Sequence, residues 1–343
     1  MGTITIKDIA KLCGVGVSTV SRAINDHNDI NDETKAMIMQ IIKENNYVPN
    51  NSARNLKRSN SDTIAVLIKG ISNPFFSPMI KTFERRIKEK RYSFILQRVD
   101  EKENEIDVAI ELVNEKKLKG IVFLGGCFSH SDEKLSQLKV PFVLSTVGTT
   151  QNYDKTICSS VSVDDFKESY KIVDYLCSLG HTKIATITAS MEDESIGKLR
   201  HNGYTSALKA NNIEVDKDLI RVMRDDIEGY SMENGYAVTK ELLESGKDFT
   251  AIYAISDSIA IGACKAIFDA GKRVPEDYSI AGFDGMDMAR YYNPSITTIR
   301  QPVEEMAEAT IKILFDVIRN RTSAQQRMFQ GELIIGQSTK SIK

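Results

Sequence analysis

Apolar positions follow two regimes along the chain. Up to about residue 60 they recur at three- and four-residue spacing in short stretches between polar turns. From Asp62 onward, β-branched runs alternate with amphipathic stretches. The first regime predicts three helices, Ile6–Cys13, Val17–Asn25 and Asp32–Asn45, the third opening behind Asn31 as its N-cap. Between the first two lies Cys13-Gly14-Val15-Gly16, a turn of the length that joins helices in a helix-turn-helix. At about 100° per residue the second helix turns Thr19, Val20, Ala23 and Ile24 to one side and Val17, Ser18, Ser21, Arg22 and Asn25 to the other. The polar side suits a DNA major groove: Ser and Asn share hydrogen bonds with base edges or phosphates, Arg forks onto guanine, and Val17 meets a thymine methyl. The same pattern also describes an ordinary solvated helix face.

The second regime predicts strands Thr63–Ile68, Tyr92–Val99, Gly120–Leu124, Phe142–Ser145, Lys183–Thr188, Ala251–Ile255 and Tyr278–Phe283. Between and after them run helices Met79–Lys90, Asn104–Lys117, Phe166–Leu179, Leu199–Ala210, Ser231–Leu243, Ser258–Ala270 and Val303–Ile318. Such alternation winds parallel sheets with right-handed crossovers. About 280 residues exceed one sheet, and a strand over Ser160–Asp164 offers a crossing into a second. The expected fold is an N-terminal all-α helix-turn-helix domain plus an α/β body of two doubly wound parallel-sheet lobes with a ligand cleft at their strand ends.

Composition changes this picture little. Apolar residues are 41% and charged residues 27% of 343 positions, a globular mix. Net charge is -2, but residues 1–60 carry eight Lys/Arg against six Asp/Glu, a balance of +2 that leaves -4 for the rest. That asymmetry alone does not establish nucleic-acid binding. Cys13, Cys127, Cys158, Cys177 and Cys264 are scattered and never at CxxC spacing, which argues for reduced thiols and against a zinc site. Lys7, Asp8 and Lys11 interrupt the first apolar residues as no signal peptide would, and no later run reaches a membrane span, so a cytoplasmic location without membrane contact is expected. No HExxH, GxSxG or P-loop pattern occurs, and the four His (27, 130, 181, 201) lack metal-ligand spacing. No catalytic residue, metal or cofactor is therefore expected.

Thr5-Ile6-Lys7-Asp8-Ile9-Ala10, Gly14-Val15, Val17 through Asn25 and Tyr47-Val48-Pro49-Asn50 together resemble the DNA-binding domain of the LacI/GalR family of bacterial transcription regulators. Gly16 stands where the family usually has Ser, a slightly better helix cap. The resemblance continues through Ile71-Ser72-Asn73-Pro74-Phe75-Phe76, Leu179-Gly180-His181, Val274-Pro275-Glu276-Asp277, Ser279 through Asp284, and Thr297 through Pro302. It implies a helix-turn-helix domain over 1–49, a hinge helix or linker over 50–61, and a periplasmic-binding-protein-like effector and dimerisation body over 62–343. One lobe is expected over about 62–161 and 293–323, the other over about 162–292 and 324–343.

Carried over position by position, the resemblance implies operator contacts by Thr5, Val17, Ser18, Ser21, Arg22, Asn25, Asn50, Ala53, Leu56 and Lys57. Leu56 would wedge into the minor groove and kink the duplex. The effector pocket would draw on Phe75, Phe76, Thr146, Arg200, Tyr230, Ser256 and Asp284, with Asp284 accepting hydroxyl hydrogens and Arg200 donating a fork of bonds from the opposite lobe. Two departures, Ser256-Asp257 where many members have Asn-Asp and Thr146 where many have Asp, each remove a hydroxyl-binding group. The implied protein is a regulator, most simply a repressor, that binds double-stranded operator DNA as a homodimer under control of a small-molecule effector, a sugar or sugar derivative. Lys343 follows shortly after Glu332–Ser338 without a heptad extension, so dimers rather than tetramers are expected. The alternatives are a corepressor-dependent regulator answering to a nucleoside, a purine or a phosphoprotein partner, and, more remotely, a sugar-binding protein or enzyme without regulatory role.

Overall fold

The computed structural model describes residues 4–24, 30–45, 47, 62–100, 103–116, 118–128, 130–149, 158–190, 195–320 and 323–343, and the chain divides into two units, Met1–Asn60 and Ser61–Lys343. The first holds helices Ile6–Leu12, Val17–Ile24 and Asp32–Glu44, within a residue of the pattern-based expectation. Their apolar faces meet in a small core of Ile9, Ala10, Val20, Ala23 and Ile38, walled by half-buried neighbours such as Ile24, Ile41 and Tyr47. Thr5 caps the first helix in a reciprocal box: its hydroxyl accepts from the Asp8 amide at 3.4 Å, and its own amide donates to Asp8 Oδ2 at 2.9 Å. Gly14 closes that helix at φ +66, a conformation open to glycine at no steric cost.

The second unit contains two six-stranded sheets. In chain order its first strands are β1 (Thr63–Ile68), β2 (Ser93–Arg98), β3 (Gly120–Leu124), β4 (Cys127–Phe128), β5 (Phe142–Ser145), β6 (Gly148–Thr149) and β7 (Ser159–Val163). Then come β8 (Ile184–Thr188), β9 (Ile220–Val222), β10 (Ala251–Ala254), β11 (Ser279–Asp284), β12 (Thr297–Arg300), β13 (Gln326–Phe329) and β14 (Glu332–Ile334). The first lobe's sheet runs β13-β7-β5-β3-β1-β2 and is wholly parallel. The second runs β14-β12-β11-β10-β8-β9, parallel except for β12 against β14. Central strands are buried on both faces, which is why β1, β3, β8, β10 and β11 read as unbroken runs, while edge strand β2 is only half-buried. β4 and β6 form a separate parallel pair.

The chain passes between lobes three times: after β7, after β12, and between β13 and β14. This corrects the expected lobe limits. Residues 297–300 join the second sheet because β12 pairs with β11, and 326–329 join the first because β13 pairs with β7, in register Gln326↔Ser160 to Phe329↔Val163. β7 likewise keeps Ser162 and Val163 in the first lobe. The periodicity does not mark β9, β12, β13 and β14, strands of three or four residues each carrying a charged side chain (Arg221, Arg300, Arg327 and Glu332), whereas the equally short but uncharged β5 and β10 stand out. No described helix is long and apolar enough to cross a membrane.

Candidate functional site

In the first unit, helix Val17–Ile24 buries Val20 and Ala23 and turns Val17, Ser18 and Arg22 outward, Val17 being 41% exposed, with Ser21 half-buried. The polar side expected of a groove-reading helix is therefore the solvent side. Thr5 is exposed, but its hydroxyl is committed to the Asp8 cap, so any contact it makes with DNA comes from a residue already fixed in place. Asn25, Asn50, Ala53, Leu56 and Lys57 lie outside the described residues.

In the second unit a cavity of about 830 Å³ lies at the strand ends of both sheets. Its walls come from segments following β1 (Asn73, Phe75, Phe76), β5 (Thr146), β7 (Asp165), β9 (Met223, Tyr230), β11 (Asp284) and β12 (Gln301). Ligands of open α/β sheets bind at such carboxyl ends. Six of the seven sequence-derived effector residues, Phe75, Phe76, Thr146, Arg200, Tyr230 and Asp284, line it together.

Ser256 does not. It is fully buried, and its oxygen accepts from the Ile259 amide at 3.3 Å to cap helix Asp257–Asp269. Its place in the expected site is thus corrected to helix capping, and the adjacent Asp257 acts one step behind the wall. Asp257 Oδ1 accepts from Thr298 Oγ1 at 2.6 Å and Oδ2 from the Met286 amide at 2.7 Å, fixing the turn that carries Asp284. A second correction concerns Arg200. It lies in the same lobe as Asp284, not across the cleft, and NH1 reaches Asp284 Oδ1 at 3.3 Å.

Arg200 is buried with all of its charge paired. Nε donates to Asp165 Oδ1 at 2.8 Å, NH1 also donates to the Ile255 carbonyl, and the guanidinium lies 3.7 Å over the Phe283 ring. Burial works against its charge, but Asp165 and Asp284 hold the guanidinium firmly protonated. Burial also raises the Asp165 and Asp284 carboxyls, Asp284 to about 6, despite the Arg200 charge beside both and the Gln301 bond to Asp284. Both bonds to Asp284, from Arg200 and from Gln301 Nε2 at 2.8 Å, fall on Oδ1, which leaves Oδ2 for a ligand hydroxyl. Thr146, Tyr230 and Asp284 have φ of 50°, 56° and 115°, while the two other described non-glycine residues at positive φ, Arg91 and Asn212, sit just past helix ends. Backbone strain in the body therefore gathers on the cavity wall, as it does at functional sites.

Phe75 and Phe76 meet edge to face at 5.3 Å and belong to the core as well as the wall. Gly125, at φ +71, admits the Phe76 ring, whose Cζ lies 2.7 Å from where a Cβ would stand. The first lobe adds Lys69, Glu105 and His130, which sequence reasoning missed along with Asp165 and Gln301. Among the described residues no group of three His, Cys, Asp or Glu could hold a metal ion.

A helix-turn-helix unit and a two-lobed α/β body with a polar cavity at its strand ends together define a ligand-responsive DNA-binding regulator. Residues 5–50 match the family described as bacterial regulatory proteins, lacI family, and residues 173–339 match the periplasmic binding protein-like domain. The HTH-type transcriptional regulator MalR of Clostridium butyricum is 43% identical over 332 residues, 96% of this chain and 97% of that one. The chain belongs to the LacI family and is a DNA-binding transcriptional regulator. Among solved structures, the transcriptional regulator CelR in complex with cellobiose superposes with a TM-score of 0.70 at 26% identity, covering 98% of this chain and 99% of that one. A LacI family regulator from Enterococcus faecium with bound ribose gives 0.71 at 28% identity over 82% of this chain and all of that one.

Proposed function

We propose that this regulator is a cytoplasmic repressor that binds a pseudo-palindromic operator as a homodimer and releases or tightens its hold when a carbohydrate occupies the cavity between the lobes. The observation that carries the reading is the buried Arg200–Asp284 pair on the cavity wall, with Asp284 Oδ2 uncommitted and Phe75 and Phe76 beside it. A carboxylate and a guanidinium next to aromatic rings match the alternating hydroxyl edges and apolar face of a sugar ring. The cellobiose and ribose carried by the related structures support the same class of ligand. Val17, Ser18, Ser21 and Arg22 would read the major groove, and two-fold symmetry would require two half-sites in register. An effector can shift only an equilibrium between states that it binds unequally, so its effect on operator affinity must be matched by the operator's effect on its own.

A thermal-shift screen of the full chain against sugars and nucleosides tests the ligand class, since a ligand at 100 times its dissociation constant stabilises by roughly 2.7 kcal/mol. Hits confined to nucleosides, or to none of the panel, would reject the carbohydrate. Anisotropy on operator duplexes selected from random sequence, with and without the hit, tests the regulation. Light scattering at micromolar concentration tests the dimer.

A further inference from the structure

Three ionisable side chains on the first lobe's wall of the cavity bond one another. Lys69 Nζ lies 2.7 Å from Glu105 Oε2, and His130 Nε2 lies 2.7 Å from Glu105 Oε1. Their side chains are only 17%, 9% and 11% exposed for Lys69, Glu105 and His130. Gly126 makes the arrangement possible. A Cβ there would stand 2.9 Å from Lys69 Cδ, so the bare α-carbon lets the lysine stem lie across the turn toward Glu105. Lys69 just past β1, Glu105 at the start of helix Glu105–Lys116 and His130 beyond β4 come from three separate elements, and all three line the cavity. Burying such charges costs several kcal/mol per ion, and pairing offsets that cost without making the cluster a strong source of stability. Clusters of this kind concentrate where a ligand uses them.

The surrounding groups indicate what kind of ligand that is. Asn73 Oδ1 accepts from the Phe75 amide at 3.1 Å, and Asn104 Oδ1 from the Ile106 and Asp107 amides at 3.0 and 3.3 Å. With their oxygens committed, both side chains have NH2 groups to offer at the same wall, beside the Lys69 ammonium. Burial opposes ionisation of Glu105, but the His130 and Lys69 bonds overcome it and hold the carboxyl at about 2. Donors around a fixed carboxylate suit neutral hydroxyls, which both give and accept hydrogen bonds, and disfavour an anion. Arg200 and Asp284 form a separate polar set in the other lobe, and a single pyranose ring fills only part of a cavity of about 830 Å³.

We propose that Lys69, Glu105 and His130 form a second subsite of this cavity that binds the hydroxyls of a second sugar unit, so that the ligand is a neutral saccharide of at least two rings. The proposal rests on the carbohydrate reading above and makes it more specific. The rings would span the lobes, one held by Arg200 and Asp284 and the next by the cluster.

Calorimetric titration of the full chain with glucose, galactose, cellobiose, maltose, lactose and sucrose tests it, alongside Lys69→Met, Glu105→Gln and Asp284→Asn. Retained operator binding by each free variant confirms that it folds. The expected result is a disaccharide bound at least about tenfold tighter than its component monosaccharides, a factor worth about 1.4 kcal/mol. Lys69→Met and Glu105→Gln should each remove most of that advantage and leave monosaccharide affinity within about twofold, whereas Asp284→Asn should weaken both ligands. Equal binding of monosaccharides and disaccharides by the natural protein overturns the subsite. So does a disaccharide affinity untouched by both first-lobe variants, or one that falls in step with the monosaccharide's; the carbohydrate reading survives all three outcomes. Failure of every saccharide to bind the natural protein overturns that reading and the subsite with it.

Discussion

Gln301 donates from Nε2 to Asp284 Oδ1 at 2.8 Å, which joins the residue just past β12, where the chain crosses between lobes for the second time, to a carboxylate on the cavity wall. Arg200 makes the corresponding connection to the first crossing, bonding Asp165 just past β7 at 2.8 Å and Asp284 at 3.3 Å. A ligand that engages Asp284 thus acts on bonds anchored at two crossings. Gln301→Ala should reduce the ratio of operator affinities with and without saturating effector, a ratio usually equivalent to 1–3 kcal/mol, or about 5–150-fold. Anisotropy on operator DNA measures the ratio, and an unchanged value would show that coupling bypasses this bond.

Asp284→Asn is a sharper test of the cavity than an alanine substitution, because at φ 115° a side chain other than Gly, Asn or Asp is strained whatever its chemistry. The asparagine keeps shape and loses the charged acceptor. Effector affinity should fall by about 1.5–3 kcal/mol, the value of hydrogen bonds to a charged group, with operator binding by the free protein retained. Calorimetry that returns the natural affinity would remove Asp284 from the site.

Arg200→Ala should behave differently. It leaves the buried Asp165 and Asp284 carboxyls without their cation, a change that costs about 3–5 kcal/mol. Urea unfolding should show the loss directly, whereas a midpoint close to that of the natural chain would mean that Arg200 serves ligand binding alone.

Asp284 also sets a pH dependence. Burial raises its folded-state carboxyl from 3.8 to about 6, so between those values the folded chain holds a proton that the unfolded chain has released. Its contribution to stability therefore declines as pH rises from about 4 to about 6, by at most about 3 kcal/mol. Asp165 and Asp257, also raised by burial, act in the same direction. Glu105, held at about 2, acts oppositely: its contribution is present above about 4.5 and is lost as pH falls toward 2. The stability difference between the natural chain and Asp284→Asn, taken from urea midpoints across pH 4–7, should shrink or reverse as pH rises. A difference that grows with pH would contradict the assignment.

The reading head gives two further expectations. Arg22→Ala should lower operator affinity by about 1–3 kcal/mol and relax base preference, and an equal loss on operator and random duplex would refute base reading by Arg22. Gly16→Ser should raise head stability by a few tenths of a kcal/mol. The Gly16 carbonyl already accepts the first bonds of helix Val17–Ile24, and a Cβ there meets only Ser18 Oγ at 3.5 Å and Thr19 Oγ1 at 3.9 Å. A lower melting temperature would mean that the turn needs the glycine.

How much of this was legible in the sequence depended on the range of the interactions. The three head helices and the central strands show in the periodicity because each buries a face defined by neighbours a few positions away. Phe75, Phe76, Arg200 and Asp284 came from family motifs, and the cavity unites them. Ser256 was misassigned because a serine after a strand reads equally as a ligand or as a cap, and only the Ile259 amide decides. Gln301 was overlooked because β12 was not recognised, so nothing placed that side chain at a strand end. Lys69, Glu105 and His130 carry no shared local signal. They meet only once β1, helix Glu105–Lys116 and the segment beyond β4 are packed, and Gly126 gives the lysine its path.

The exchange of β13 and β14 between sheets bears on how the protein is made. The first lobe's sheet is bordered by β13 and packs helix Val303–Asn320, and the second lobe's sheet is bordered by β14, so the first sheet is incomplete until ribosomes have passed Phe329 and the second until they have passed Ile334. The three-helix head, built from local contacts near the start of the chain, needs none of this and can form early. A message broken off before the first of these points would yield a head attached to two unfinished sheets with open edges, a product marked for proteolysis rather than a regulator that grips DNA and cannot sense its ligand.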